Sequence, residues 1–120
     1  MAEREEMHYT WDAVPLEVLS DTISRKIITG ERTMAAQVFL KKGAIVPLHS
    51  HDNEQITYIL EGALEFLIGG RHTIVHKGEV LHIPPNLPHQ AVALEDTVDL
   101  DLFSPPRADW LAREDTYLRK

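Results

Sequence analysis

Apolar and polar residues alternate along most of this chain in short runs, and almost every run closes on Gly, Pro or Asn. The stretch DTISRKIITG alternates up to Gly30, and RTMAAQVFLKKG does so less cleanly up to Gly43. NEQITYILEG, ALEFLIGG, HTIVHKG, EVLHIPPN, LPHQAVALE and DTVDLDLFSPP follow. A period of two marks a strand with one face turned inward, and turn residues at short, even spacing join such strands antiparallel. Glu61-Gly62, Gly69-Gly70 and Lys77-Gly78 sit between runs where hairpin turns belong. The pattern predicts an all-β sandwich or barrel, and the closed jelly roll leaves the fewest bare strand edges.

Both ends depart from alternation. After Pro105-Pro106, RADWLAREDTYL reads as one short helix with Trp110, Leu111 and Leu118 available to pack back on the barrel. The N-terminal HYTWDAVPLEVL carries Trp11, Val14, Leu16 and Leu19 and is expected to pack on the barrel or on a second subunit. At 120 residues the chain suits a single domain, 1–120. A composition 43% hydrophobic and 26% charged lies well away from that of disordered chains. The net charge of −7, from 12 basic and 19 acidic residues with no basic stripe, argues against a nucleic-acid partner. Cysteine is absent, which excludes disulfides, thiolate nucleophiles and Cys-ligated metals and fits a reducing compartment. The opening MAEREEMH is net acidic, unlike a secretory signal, and no apolar run reaches membrane-spanning length. These features predict a cytoplasmic protein that does not enter a membrane.

HSHDNEQ, residues 49–55, raises the question of a metal. In a strand, residues i and i+2 share a face, so His49 and His51 can converge on one ion. In a chain with seven histidines that pair alone says little. Its surroundings say more. Gly43 and a turn-forming stretch precede His49, Gln55 and Gly62 follow, and GEVLHIPPNLPH then brings Gly78, Pro84 and His89. These residues resemble the two motifs of the cupin superfamily, G(x)5HxH(x)3-4E(x)6G at 43–62 and G(x)5PxG(x)2H(x)3N at 78–93. The resemblance implies the cupin double-stranded β-helix, a jelly-roll barrel, here with a short C-terminal helix. It also implies a divalent transition metal (nickel, zinc, manganese or iron) held by His49, His51, Gln55 and His89. Gln55 stands where most cupins have Glu, Asn86 where they have Gly, and Ala93 where they have Asn. Glu54 is the nearest carboxylate and remains the alternative ligand, although in a strand it points to the face opposite Gln55. Three imidazoles and an amide would leave the ion its full +2 charge, favouring anionic substrates and polarisation of an oxygen over redox chemistry.

A second cluster lies in DLDLFSPPRADW. Val98, Leu100 and Leu102 form one face of a strand, and Asp99, Asp101 and Phe103 the other. On the residues alone the acidic face is a solvated outer one and Arg107 an exposed helix-start residue. The run LFSPPRADW, together with the Gln-type first motif, is similar to the pectin-degradation KdgF group of small single-domain cupins, although Ala108 stands where that group often has Glu. This likeness implies a homodimeric enzyme that converts 4,5-unsaturated uronate monosaccharides, a small anionic sugar substrate, into linear 5-keto-4-deoxyuronates. It places Asp101, Phe103 and Arg107 beside the metal as catalytic residues. Arg107 would grip the C6 carboxylate with two prongs, Asp101 would move protons, and Phe103 would exclude water. Two other functions fit the same ligands: a metal-dependent dioxygenase, and a non-catalytic sugar-binding or sensing cupin, for which the sequence offers no appended DNA-binding helices. Among the other histidines, His82 is expected behind the ligands or in packing. His8, His72 and His76 read as terminus, strand-start and turn residues, and Tyr58 as core or interface with its hydroxyl at a rim.

Overall fold

The computed structural model describes residues 4–119; residues 1–3, which begin the acidic MAEREEMH stretch, and residue 120 lie outside the described residues. A 3-10 turn at Trp11–Ala13 leads into β1 (Glu17–Val18), β2 (Ile23–Thr29), β3 (Met34–Leu40), β4 (Ile45–His49) and β5 (Glu54–Glu61). There follow β6 (Ala63–Ile68), β7 (Arg71–His76), β8 (Val80–Ile83), β9 (His89–Ala93), β10 (Thr97–Ser104) and the helix α1 (Ala108–Leu111). They form a six-stranded sheet in the order β1-β2-β3-β10-β5-β8 and a four-stranded sheet in the order β4-β9-β6-β7. Every strand pair is antiparallel. The two sheets enclose one core in the jelly-roll manner.

Each alternating run became a strand, and the three Gly turns join β5–β6, β6–β7 and β7–β8. Gly69 and Gly70 both have positive φ, 57° and 80°, as the tightest hairpin turn requires. The stretch after Gly43, expected as a turn, is instead the strand β4. IVPLH does not alternate cleanly because Pro47 sits at a register irregularity between Val46 and His49, on an edge strand where a missing N–H removes no ladder bond. The strand ends at His49, so His51 lies just beyond it rather than on the same strand.

Inward positions of β3 are Met34, Ala36, Val38 and Leu40, facing Leu64 and Phe66 of β6 and Ala91 and Ala93 of β9 in a continuous apolar cluster. On β10 the inward row is Thr97, Asp99, Asp101 and Phe103, all buried, so the acidic face is the inner one and the aliphatic face looks out. Register explains how the barrel accepts this. Asp101 lies between Ala36, whose methyl leaves room, and Thr57, whose hydroxyl can donate to it.

The tail also differs from expectation. Only Ala108–Leu111 is helical, and Arg113, at φ +57°, ends any continuation. Trp110 and Leu118 are buried, while Leu111 is exposed. Interrupting the helix lets Asp115 turn inward as well, where its Oδ2 lies 2.6 Å from Arg25 Nη1, both side chains being fully buried. Arg119 and Glu17 extend this ion-pair cluster. At the other end Leu19 is buried and Trp11 and Val14 are half-buried, with Lys26 Nζ donating to Trp11 O at 2.9 Å, while Leu16 stays exposed. Among the described residues no helix is long and apolar enough to cross a membrane.

Gly62 and Gly78 have nearly equal φ, 87° and 84°, yet a Cβ at Gly62 would lie 2.4 Å from Asp96 O and 2.5 Å from Thr97 Oγ1, whereas one at Gly78 meets nothing. Gly78→Ala is therefore expected to cost about 1–2 kcal/mol, the left-handed-region strain alone. Gly62→Ala should cost about 3 kcal/mol or more because backbone must also move. Urea unfolding midpoints of the two variants measure the difference.

Candidate functional site

His49 at the end of β4 and His89 at the start of β9 are directly paired across the ladder, which sets their rings 4.3 Å apart. His51 joins them from the loop, 5.6 Å from His49 and 5.1 Å from His89. What places His51 is the second motif, because Asn86 N donates to His51 O at 2.7 Å. Asn86 has φ +65° at the position where the motif has Gly, and asparagine is one of the few side chains that tolerates this region. Asn53, also buried, donates from Nδ2 to Pro105 O at 2.6 Å and ties the histidine loop to the tail.

The three rings are oriented for a metal. Each Nδ1 faces a backbone carbonyl: His49 that of Pro47 at 2.8 Å, His51 that of Asn53 at 3.1 Å and His89 that of Leu87 at 2.8 Å. A carbonyl only accepts, so each Nδ1 carries the hydrogen and each Nε2 is left as a lone pair, the arrangement found behind metal-bound histidines. One ligand atom from each of the three can lie within 4.8 Å of the others. Burial, before neighbouring positive charge, pulls His49 and His51 down to about 4 and lowers His89, so the triad is neutral at neutral pH.

Gln55 points inward and is buried; Glu54 points outward and bonds His82 Nε2 at 2.6 Å. Of the two, Gln55 is the one whose side chain reaches the histidines, and His82 sits on the outer surface rather than behind them. The Gln55 amide donates from Nε2 to Thr57 Oγ1 at 2.8 Å and to Asp101 Oδ1 at 3.4 Å, which leaves Oε1 3.1 Å from His51 Nε2. With the His51 hydrogen on Nδ1, two lone-pair atoms face each other there, and a cation between them and the other two Nε2 atoms relieves that contact. The residues present therefore fit a divalent ion.

Behind Gln55, Thr57 Oγ1 donates to Asp101 Oδ1 at 2.7 Å. Burial, reinforced by the charge of Asp101, pushes Asp99 well above the usual carboxylate range, and no partner reaches its Oδ1 among the described residues. Burial raises Asp101 as well, but hydrogen bonds from Asp99 and Thr57 and the positive Arg107 pull it back. Asp99 is thus pushed the further of the pair toward its neutral form, while the groups around Asp101 favour its charged form. Thr57 and Asp99 were missed as site residues, although the period of two that placed Gln55 and Asp101 inside applies equally to their i+2 and i−2 neighbours.

Phe103 meets the His51 ring edge-on at 5.8 Å and Trp110 at 5.0 Å. Arg107 is not exposed at all; it is 1% accessible, 5.1 Å from the Phe103 ring and 4.7 Å from Trp110, with its Nε–Nη2 edge on Asp109 at 2.9 and 2.8 Å. That edge is occupied, so for the expected two-pronged grip Arg107 has only Nη1 left without a partner among the described residues. The structure thus gathers His49, His51, His89, Gln55, Asp101, Phe103 and Arg107 at one end of the barrel, and adds Tyr117, whose ring stacks on His49 at 4.4 Å. The tail carried no sequence signal for this, because RADWLAREDTYL read as one helix.

The purified protein is expected to carry close to one divalent transition-metal ion per chain, and His51→Ala or His89→Ala to lose it, as read by elemental analysis. Protons compete for Nε2 only below the folded-state value, so zinc affinity of the metal-free protein should hold as pH falls through 6.5 and decline near pH 4. The linkage to folding has a definite sign. Histidines of the unfolded chain take up protons from 6.5 downward while His49 and His51 do not, so the metal-free fold loses stability between pH 6.5 and about 4.

Comparison with known proteins agrees with this architecture. The cupin domain family model matches residues 36–104. Over 103 residues, 83% of this chain and 94% of the relative, the sequence is 42% identical to the pectin degradation protein KdgF of Dickeya dadantii. Among solved structures, KdgF from Halomonas sp. aligns with a TM-score of 0.83 at 31% identity, covering 88% of this chain and 99% of that one. An RmlC-like cupin from Shewanella frigidimarina gives 0.82 at 25% identity, covering 88% and 96%. With its two-sheet barrel, its two motifs and a family match over more than half its length, the chain belongs to the cupin family.

Proposed function

We propose that this cupin is a metal-dependent enzyme that opens and tautomerises 4,5-unsaturated uronate monosaccharides to linear 5-keto-4-deoxyuronates. The observation that carries the reading is the convergence of Gln55, Asp101, Phe103 and Arg107 on the histidine triad. It occurs in a chain 42% identical over 103 residues to a pectin degradation protein. A divalent ion held by His49, His51, His89 and Gln55 Oε1 would supply Lewis-acid polarisation of a sugar oxygen.

The reaction is an isomerisation. The anomeric hydroxyl loses its proton, the bond from C1 to the ring oxygen breaks as C1 becomes an aldehyde, and the enolate left on C5 takes up a proton at C4 as C5 becomes a ketone. One proton leaves oxygen and one reaches carbon, with no oxidant, reductant or nucleophile required. Hydrogen bonds from Asp99 and Thr57 and the positive Arg107 favour the charged form of Asp101, which as a carboxylate would accept a proton from oxygen and return one to carbon. Arg107 stays cationic because Asp109 and Tyr117 offset its burial, and Nη1 is free to meet the C6 carboxylate. Phe103 walls the site and keeps water from the carboxylate pair.

The same reading includes a homodimer. Ladder pairing sets Leu102 beside Ile56, Leu100 beside Tyr58 and Val98 beside Phe39 on the outer face of the six-stranded sheet, and Ile56, Tyr58 and Leu102 are each about 40% exposed. A contiguous aliphatic strip of this kind supports a second copy packing on it.

Asp101→Asn is expected to retain metal and fold while the loss of ultraviolet absorbance from unsaturated uronate slows about a hundredfold or more. A variant that turns over like the wild type removes Asp101 from the acid–base role, and oxygen uptake by an iron-loaded wild type would favour the dioxygenase reading instead. The wild type should sediment as a dimer and Leu102→Glu as a monomer that keeps its metal. A monomeric wild type would sink the interface.

A further inference from the structure

Tyr117 lies beyond residues 36–104, the part of the chain matched as a cupin domain, yet it borders the site closely. Its ring stacks on His49 with 24° between the planes, and its hydroxyl oxygen is 2.8 Å from Arg107 Nη2 and 3.0 Å from Trp110 Nε1. It therefore spans the distance between a triad histidine and the arginine assigned to the substrate's carboxylate. Its place is fixed on both sides, by Asp115 locked to Arg25 two residues earlier and by Leu118 buried one residue later.

The hydroxyl has unspent chemistry. A phenol offers one hydrogen and two lone pairs, whereas guanidinium and indole only donate. Arg107 and Trp110 therefore occupy both lone pairs, and no acceptor among the described residues takes the phenolic hydrogen. Arg107 has the complementary shortage. Its Nε–Nη2 edge is held by Asp109 and the second Nη2 hydrogen by Tyr117, so the donors left unpaired among the described residues both sit on Nη1 and cannot close a two-nitrogen fork on a carboxylate.

We propose that the Tyr117 hydroxyl is the second arm of the carboxylate clamp, so that an acidic sugar is held by Arg107 Nη1 on one oxygen and by Tyr117 O–H on the other. The assignment rests on the uronate reading and deepens it. Tyr117 becomes a substrate-contacting residue that selects the free acid over neutral forms of the same sugar.

Tyr117→Phe keeps the ring on His49 and removes only the hydroxyl. The experiment compares the metal-loaded full-length wild type and Tyr117→Phe on unsaturated uronate and on its methyl ester, which has the same reacting ring without the charge. A hydrogen bond to a charged group corresponds to roughly a tenfold to hundredfold effect. The variant should lose that much kcat/KM on the acid, mainly through KM, and less than threefold on the ester, with metal content and Tm unchanged. An unchanged acid, equal losses on acid and ester, or loss of metal would each overturn the clamp, the last two by showing that the hydroxyl acts on the histidine end of the site and not on the carboxylate. A wild type inert toward both sugars overturns the uronate reading and the clamp with it. An active wild type matched by Tyr117→Phe overturns the clamp alone.

Discussion

The hydrogen bond from Thr57 Oγ1 to Asp101 Oδ1, 2.7 Å long and sealed from solvent between neighbouring strands, sets the terms for the rest of the barrel interior. A carboxylate in that position is tolerable only with donors aimed at it, and Thr57 is one. With its single hydrogen spent on Asp101, Thr57 can only accept from Gln55, so the amide must turn its nitrogen toward Thr57 and Asp101. Its oxygen is thereby left facing the histidines. One buried hydroxyl thus fixes both the surroundings of the acid and the direction in which the Gln55 amide oxygen faces the histidines. The ladder that makes this possible pairs Asp101 with Thr57 and Phe103 with Gln55, and it lies inside the sheet between β3 and β8, where a buried inner face specifies the register.

The same network accounts for the departure from the usual motif at Gln55. A glutamate there would have no hydrogen to offer Thr57 or Asp101 and would set a second negative charge about where Nε2 now lies, 3.4 Å from Asp101 Oδ1. At an effective dielectric of about 20 that repulsion is on the order of 5 kcal/mol, enough to force a proton onto one of the two acids. The amide avoids the conflict by being an acceptor on one side and a donor on the other. A histidine cluster without an added carboxylate and an Asp101 without a like charge at the Gln55 position are therefore two consequences of one choice of side chain. Asp99 completes the logic from the deeper side, since a neutral carboxyl can donate where a second carboxylate would repel.

Much of this was legible in the sequence because it depends on a period of two. The alternating runs gave the strands, the Gly-containing turns joined them, and Gln55 rather than Glu54 had to share a face with the interior. Alternation says which residues share a face but not which face is inside, and for β10 the residue types pointed the wrong way: two acids looked solvated and three aliphatics looked buried. The reversal came from neighbours in space, Ala36 and Thr57, whose adjacency only the register supplies. IVPLH was not legible as a strand because Pro47 breaks its pattern, although its edge position tolerates that. The tail was least legible. RADWLAREDTYL has adequate helix propensity throughout, and its interruption after one turn answers a long-range demand, the burial of Asp115 against Arg25 on a strand far away in the chain.

That ion pair is an expensive way to hold a tail. Removing a guanidinium and a carboxylate from water costs several kcal/mol each, and an apolar pair of similar volume would often hold as well. What an apolar pair would not supply is a definite register. Arg25 and Arg107 lie against the Trp110 ring at 4.3 and 4.7 Å, and each is matched to its own acid, Asp115 and Asp109. A shift of the tail by one residue would leave both cations buried against the indole without their acids. Charge complementarity thereby permits a single placement of residues 107–118, the one that holds the Tyr117 ring on His49 and its hydroxyl on Arg107. The histidines at the barrel end are placed by the strand ladder and the two motif loops, but what covers them is placed by electrostatics on the far side of Trp110.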